Sequence, residues 1–137
     1  MSLLTRWRLR RSPNAAQAVR QARGARGERL ARERLQREGF VIEAANVRFP
    51  IGEIDLIARE GQTLCFVEVR SSSSPAFGGA LASITDRKRR HLIRAAEWYL
   101  ARRSTQPEAV RFDVVAVQWR QEGAPSIELV RGAFDAS

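Results

Sequence analysis

The chain is short of cysteine, lysine and long apolar runs, and each shortage closes off a class of answers. Cys65 is the only cysteine among 137 residues and lies inside an apolar run, so neither an internal disulfide nor a cysteine-built zinc site can form. A reducing, cytoplasmic setting is expected. No apolar segment approaches the roughly 20 residues that cross a bilayer, and the opening MSLLTRWRLRRS holds no apolar run of signal-peptide length. A single lysine, Lys88, stands against 23 arginines, which makes its place in the fold worth locating. His91 is the one histidine and has no second histidine to share a metal with.

Acidic residues are missing from one region only. Residues 1–27 carry seven Arg and no Asp or Glu, whereas the other 110 residues carry 17 basic and 15 acidic groups. The formal charge of +9 therefore belongs mostly to an N-terminal arm. Both phosphate contact and a solvated tail are open to such an arm. The expected division is a basic arm over 1–23, partly helical or disordered, and a single domain over 24–137, a length that supports one core.

What is present reads as seven elements. Asn14 to Arg37 is rich in Ala and Arg, with Leu30, Ala31 and Leu35 at helical spacing and Gly39 as a stop; Gly24 and Gly27 are expected to interrupt this helix. Phe40 to Ala44 reads as a strand, and Asn46 to Gly52 as a loop or a distorted continuation of it. Ile54 to Ala58 and Leu64 to Val69 are two further strands joined around Glu60, Gly61 and Gln62, and Ser71 to Gly79 reads as a loop. Thr85 to Arg103 is helical, capped by Ser83 or Thr85, with Asp86 where a negative charge suits the helix dipole. Arg111 to Val117 and Ser126 to Val130 complete the order α-β-β-β-α-β-β. The expected class is α/β (α+β), a mixed β-sheet flanked by helices.

The two central strands pose a chemical puzzle, because each short apolar run carries a carboxylate, Asp55 or Glu68. A lone carboxylate in an apolar setting is costly unless it is paired, metal-bound or neutralised. A two-residue turn at Gly61-Gln62, with Gly at its first central position, sets a register in which Phe66 faces Ile57, Glu68 faces Asp55 and Arg70 faces Glu53. Directly opposed side chains have Cβ atoms about 4.5–5.5 Å apart. Two charges 5 Å apart repel by on the order of 3 kcal/mol at an effective dielectric near 20. Mg²⁺ would relieve that conflict, since it takes oxygen ligands from one or two carboxylates and completes its shell with water and phosphate. A turn at Glu60-Gly61 would instead turn both acids toward arginines, and the hairpin alone leaves this alternative open.

Three more residues converge on the same region. Glu28 shares a helix face with Ala31 and Leu35, while Glu33 lies on the solvated side. Ile84, Lys88, Leu92, Ala95 and Tyr99 form one stripe of the second helix, placing the only lysine on an inward face, either as a site residue or as a snorkelling side chain. Arg70 shares its strand face with Glu68 and either stabilises charge on a phosphate or pairs with Glu53.

With Gly27-Glu28, Gly52-Glu53-Ile54-Asp55-Leu56-Ile57, Phe66-Val67-Glu68-Val69-Arg70, Phe77-Gly78, Ser83-Ile84 with Lys88, and Arg111-Phe112-Asp113-Val114-Val115 in view, the chain resembles the uncharacterised bacterial YraN family. More broadly it resembles the PD-(D/E)XK nuclease superfamily. The likeness covers roughly Gly27 to Phe134. It implies a restriction-endonuclease-like fold similar to Holliday junction resolvases, and Mg²⁺- or Mn²⁺-dependent cleavage of DNA phosphodiesters. Asp55 is similar to the superfamily's central acid, Glu68 to its second acid, and Glu28 to the acid contributed by the first helix. Ile54 stands where the superfamily has Pro. Arg70 stands at the catalytic lysine's position, and a permanently charged guanidinium stabilises charge but cannot act as a base.

The functional expectation is a structure-selective, metal-dependent endonuclease acting on branched or distorted DNA. Its catalytic set is Glu28, Asp55, Glu68, Arg70 and Lys88, with Asp55, Glu68 and Glu28 around the metal and Lys88 supplying the missing amine. Arg20, Arg23, Arg26, Arg70, Ser71 and Ser72 are expected to contact nucleic acid, fixing position without reading sequence. A homodimer is expected by analogy with resolvases. Two alternatives stand beside this reading: a catalytically inactive nucleic-acid-binding module with the same fold, and a protein-interaction scaffold with salt-bridged acids.

Overall fold

Asn14 caps the first helix with a reciprocal pair of hydrogen bonds: Gln17 N–H donates to Asn14 Oδ1 at 2.8 Å, and Asn14 N–H to Gln17 Oε1 at 3.0 Å. These contacts belong to a computed structural model that describes residues 14–50, 52–73 and 84–136. Helix α1 (Ala15–Arg37) follows without a break and buries Gly27, Ala31 and Leu35. The expected interruption at Gly24 and Gly27 does not occur. Gly27 lies in the buried stripe, and packing of that stripe outweighs the roughly 1 kcal/mol helix penalty of each glycine. Gly39, at φ +94°, then turns the chain in a conformation that disfavours a Cβ.

Five strands form one sheet in the order β1 (Val41–Phe49), β2 (Gly52–Glu60), β3 (Thr63–Ser72), β4 (Ala109–Gln118) and β5 (Ser126–Phe134). The β3–β4 pair is parallel and the others antiparallel. A parallel pair needs a crossover, and helix α2 (Asp86–Arg102) supplies it. Thr85 is its cap, accepting from Lys88 N–H at 3.1 Å. The observed order is the expected α-β-β-β-α-β-β.

Two cores sandwich the sheet. On one face Ala31 and Leu35 of α1 pack with Leu56, Ala58, Cys65, Val67, Val115, Val117 and Trp119. On the other, Ala95 and Ala96 of α2 pack with Ile54, Ile57, Leu64, Phe66 and Phe112. Strands covered on both faces read as unbroken apolar runs rather than alternating ones, which accounts for the composition of β2 and β3. Among the described residues no helix is long and apolar enough to cross a membrane.

The sheet is longer than its sequence signals. Asn46 to Phe49 continues β1 past a bulge between Ile42 and Ala44. Ser71 and Ser72 belong to β3, not to a loop, because they pair with Val117 and Gln118 of the parallel neighbour. Partner strands thus extend segments whose composition favours turns. Residues 74–79 of the expected loop lie outside the described residues.

Candidate metal and phosphate site

The turn at Gly61-Gln62 has the expected geometry: Gly61 takes φ +59°, and Gln62 has no positive φ. The resulting ladder runs from Glu60↔Thr63 to Leu56↔Val67, the register deduced from the sequence. One residue beyond, the strands part. There Asp55 Oδ2 accepts the Val69 N–H at 2.9 Å, so its carboxylate occupies the opening between β2 and β3.

Glu68 stands beside it and is only 4% exposed. Its Oε1 lies 3.6 Å from Lys88 Nζ of α2 and 3.6 Å from an Arg70 guanidinium nitrogen on the same strand. Its Oε2 is buried and has no hydrogen-bond partner among the described residues. Burial pushes the Glu68 carboxyl up to about 7, and the neighbouring Asp55 charge adds to the rise. Lys88 and Arg70 oppose it without cancelling it.

Glu28 approaches from α1. The Asn46 amide, oriented to satisfy both acids, donates its nitrogen to Glu28 Oε1 at 2.8 Å and to Glu53 Oε1 at 2.9 Å. Burial raises the Glu28 pKa, the Asn46 hydrogen bond lowers it, and the Asp55 and Glu53 charges raise it again. Asp55 therefore acts electrostatically on Glu68 and on Glu28. Glu53 is engaged by Asn46, while Arg70 turns to Glu68.

The donor set fits a hard divalent cation. It is all oxygen, and it includes a buried carboxylate oxygen of Glu68 that accepts no hydrogen bond from the described residues, its neighbour Asp55 being a second acid that can share only a proton with it. Among the described residues no group of three or more His, Cys, Asp or Glu converges to hold a metal alone. The protein would supply Asp55 and Glu68, leaving the remaining positions to water and substrate, with Glu28 at the rim.

The basic residues divide into two places. Arg20, Arg23, Ser71 and Ser72 line one cleft of about 410 Å³ with Trp119, on the α1 side of the sheet. Arg26 lies over the Trp119 ring, 5.2 Å from its centroid. Arg70 sits at the acid pair instead. Asn46 and Trp119 join these sites without a motif to mark them, and Glu53, expected to face Arg70, meets Asn46 instead. Only Asn46 left a signal, as the residue type that best tolerates the left-handed backbone (φ +52°) it adopts here.

The sheet also carries a separate ion network. Asp113, fully buried, accepts from Arg111 Nε at 2.7 Å, from a second Arg111 nitrogen at 2.8 Å and from Gly132 N–H at 2.9 Å. Arg111 and Arg131 both bind Glu60. These acids are satisfied by arginine, which is what the acid pair at Glu68 lacks on Oε2.

Comparison with known proteins places the chain in a family. Residues 27–117 match the family described as "Uncharacterised protein family UPF0102". A UPF0102 protein of Desulfosudis oleivorans is 45% identical over 118 residues, covering 86% of this chain and 94% of its own length. One from Moorella thermoacetica is 44% identical over 118 residues, covering 85% and 98%. One from Yersinia pseudotuberculosis is 52% identical over 100 residues, covering 72% and 86%. With most of its own length and nearly all of theirs aligned, the chain belongs to the UPF0102 family.

Proposed function

We propose that the protein is a divalent-metal-dependent endonuclease of the PD-(D/E)XK type that hydrolyses DNA phosphodiesters, with branched or distorted DNA as substrate. The observation that carries this reading is the buried Oε2 of Glu68, without a hydrogen-bond donor among the described residues, beside Asp55 and within reach of Lys88 and Arg70. Leaving such an oxygen unsatisfied costs about 1–3 kcal/mol or more, and a fold keeps that cost where a ligand repays it.

Asp55 and Glu68 would hold Mg²⁺ or Mn²⁺, which when bound polarises a phosphoryl oxygen and acidifies water. Asp55 is fixed for this role by the Val69 N–H. Arg70 binds the scissile phosphate and stabilises the charge that develops on it. Lys88, 3.6 Å from Glu68 Oε1, orients the attacking water and restores from a helix the amine absent at position 70. Glu28, held by Asn46, anchors water at the rim. Water attack at phosphorus breaks the bond to the leaving ester oxygen and gives a phosphomonoester and a hydroxyl end.

The test is a titration of Mg²⁺ or Mn²⁺ with branched, flapped and linear DNA, run beside Asp55→Asn and Glu68→Gln. Cleavage that needs metal and is lost in both variants supports the reading. Cleavage that persists in both removes these residues from the site, and DNA binding without cleavage by the wild type identifies an inactive binding module.

A further inference from the structure

The cleft on the α1 side is built independently of the acid pair. Arg20 and Arg23, three residues apart on α1, face Ser71 and Ser72 at the end of β3 and Ser73 just beyond it, and among the described residues no acid lines the space between them. Its wall is fixed. Trp119 is 8% exposed, its main-chain N–H donates to Ser72 O at 2.8 Å, and its ring lies 5.9 Å from the Arg23 guanidinium carbon. The buried Trp119 Nε1–H has no acceptor among the described residues.

Gly24 also lines this cleft. It sits in the interior of α1, where glycine is about 1 kcal/mol worse than alanine. A Cβ built there meets nothing within 4 Å, so no packing constraint requires a glycine. What its missing side chain preserves is the opening of the cleft itself.

We propose that this cleft is a second phosphate-binding site, which holds a non-scissile phosphodiester of the strand being cut. Paired guanidiniums match phosphate geometry, and serine hydroxyls donate to its oxygens. Ser71 lies three residues past Glu68 on β3, about 10 Å along the strand at roughly 3.3 Å per residue. Its side chain stands on the opposite face, so a nucleic-acid strand joining the two sites passes around the sheet. A DNA strand needs at least about three nucleotides, at about 3.4 Å each, to cover that path. The proposal rests on the nucleic-acid reading above, yet the cleft needs no metal and no acid pair, so the two can fail separately.

The experiment measures affinity for a short single-stranded oligodeoxynucleotide against salt in EDTA, using the full chain. Gly24→Leu fills the cleft, removes no charge and favours the helix, so it is expected to fold with an unchanged or higher Tm. Its affinity is expected to fall about fivefold at 0.1 M salt, with the slope of log K against log salt reduced by about 0.7, the value for one lost single-strand phosphate contact. Arg20→Gln with Arg23→Gln is expected to lose at least as much. Arg37→Gln, which removes a charge at the far end of the same helix, is expected to change the slope less than Gly24→Leu does.

Wild-type affinity and slope in a folded Gly24→Leu protein would overturn the proposal. So would an equal loss in Arg37→Gln, which marks diffuse charge rather than a built site. Loss of binding in Gly24→Leu without any metal-dependent cleavage by the wild type keeps the cleft and removes the nuclease reading. Cleavage abolished by Asp55→Asn, together with unaltered Gly24→Leu binding, does the reverse.

Discussion

Lys88 meets Glu68 across two elements, its Nζ 3.6 Å from Oε1 although one residue lies in the first turn of α2 and the other within β3. The only lysine of an arginine-dominated chain is thereby set at the candidate site together with Arg70, which lies the same distance from that oxygen. Removing a group that positions or activates water is expected to lower kcat by about 10²–10⁴. Lys88→Ala should therefore slow metal-dependent DNA cleavage by that order, and Lys88→Arg should fail to restore it. Unchanged cleavage in Lys88→Ala, with activity abolished in Arg70→Ala, would return the role to Arg70.

Glu68 also makes stability depend on pH. Its folded pKa, about 7, lies above the ordinary value of 4.5, chiefly through burial. A raised carboxyl pKa means that the folded state binds the proton more tightly than the unfolded one. The corresponding stability is present below pH 4.5 and is lost as pH rises through about 7, by on the order of 3 kcal/mol in total. Thermal melts in EDTA should show this decline from Glu68, and Glu68→Gln should flatten it. Mg²⁺ binding requires the ionised carboxylate, so stabilisation by Mg²⁺ should be larger at pH 8 than at pH 5.5.

Asn46 sits between two acids in a left-handed backbone, and the two properties can be separated. Asn46→Gly keeps the backbone free to adopt φ > 0 but removes the amide. Asn46→Ala removes the amide and adds about 1–2 kcal/mol of backbone strain. Both should raise the Glu28 pKa further, because the hydrogen bond that lowers it is gone. Carboxyl chemical shifts followed against pH would show this rise, and only the alanine variant should melt markedly earlier.

Asp113 is a structural acid and should behave as one. Asp113→Ala leaves Arg111 without its closest partner and Gly132 N–H without an acceptor. A loss of about 3–5 kcal/mol is expected by chemical denaturation. Arg111, whose pKa this pairing raises, keeps only Glu60.

Cys65 is fully buried, and burial followed by the Asp113 charge pushes its thiol up to about 12. Alkylation by a thiol reagent at neutral pH should therefore be slow and should follow opening of the fold rather than thiol chemistry. Rapid labelling of the native protein would show that the β3–β4 core opens readily.

The hairpin register was legible from Glu60↔Thr63 to Leu56↔Val67 because one turn chemistry, Gly61 before Gln62, sets it, whereas the expected pairs of Asp55 with Glu68 and Glu53 with Arg70 fall outside the ladder. Glu28 and Lys88 were legible because helical spacing assigns a face. What the sequence hides is contributed by neighbours. Ser71 and Ser72 carry loop composition yet pair with β4. The departure of Asp55 from the ladder depends on a side chain replacing a main-chain acceptor. Trp119 gains its place only when α1 crosses the end of β3, a contact no local pattern encodes.

The most direct test of the central claim is calorimetric titration of Mn²⁺ into the wild-type protein, Asp55→Asn and Glu68→Gln at pH 8, without nucleic acid. One ion bound per wild-type chain, with binding lost or strongly weakened in both variants while their folds persist, is the predicted result. Equal binding in all three proteins, or none in the wild type at millimolar Mn²⁺, would contradict a metal held by Asp55 and Glu68.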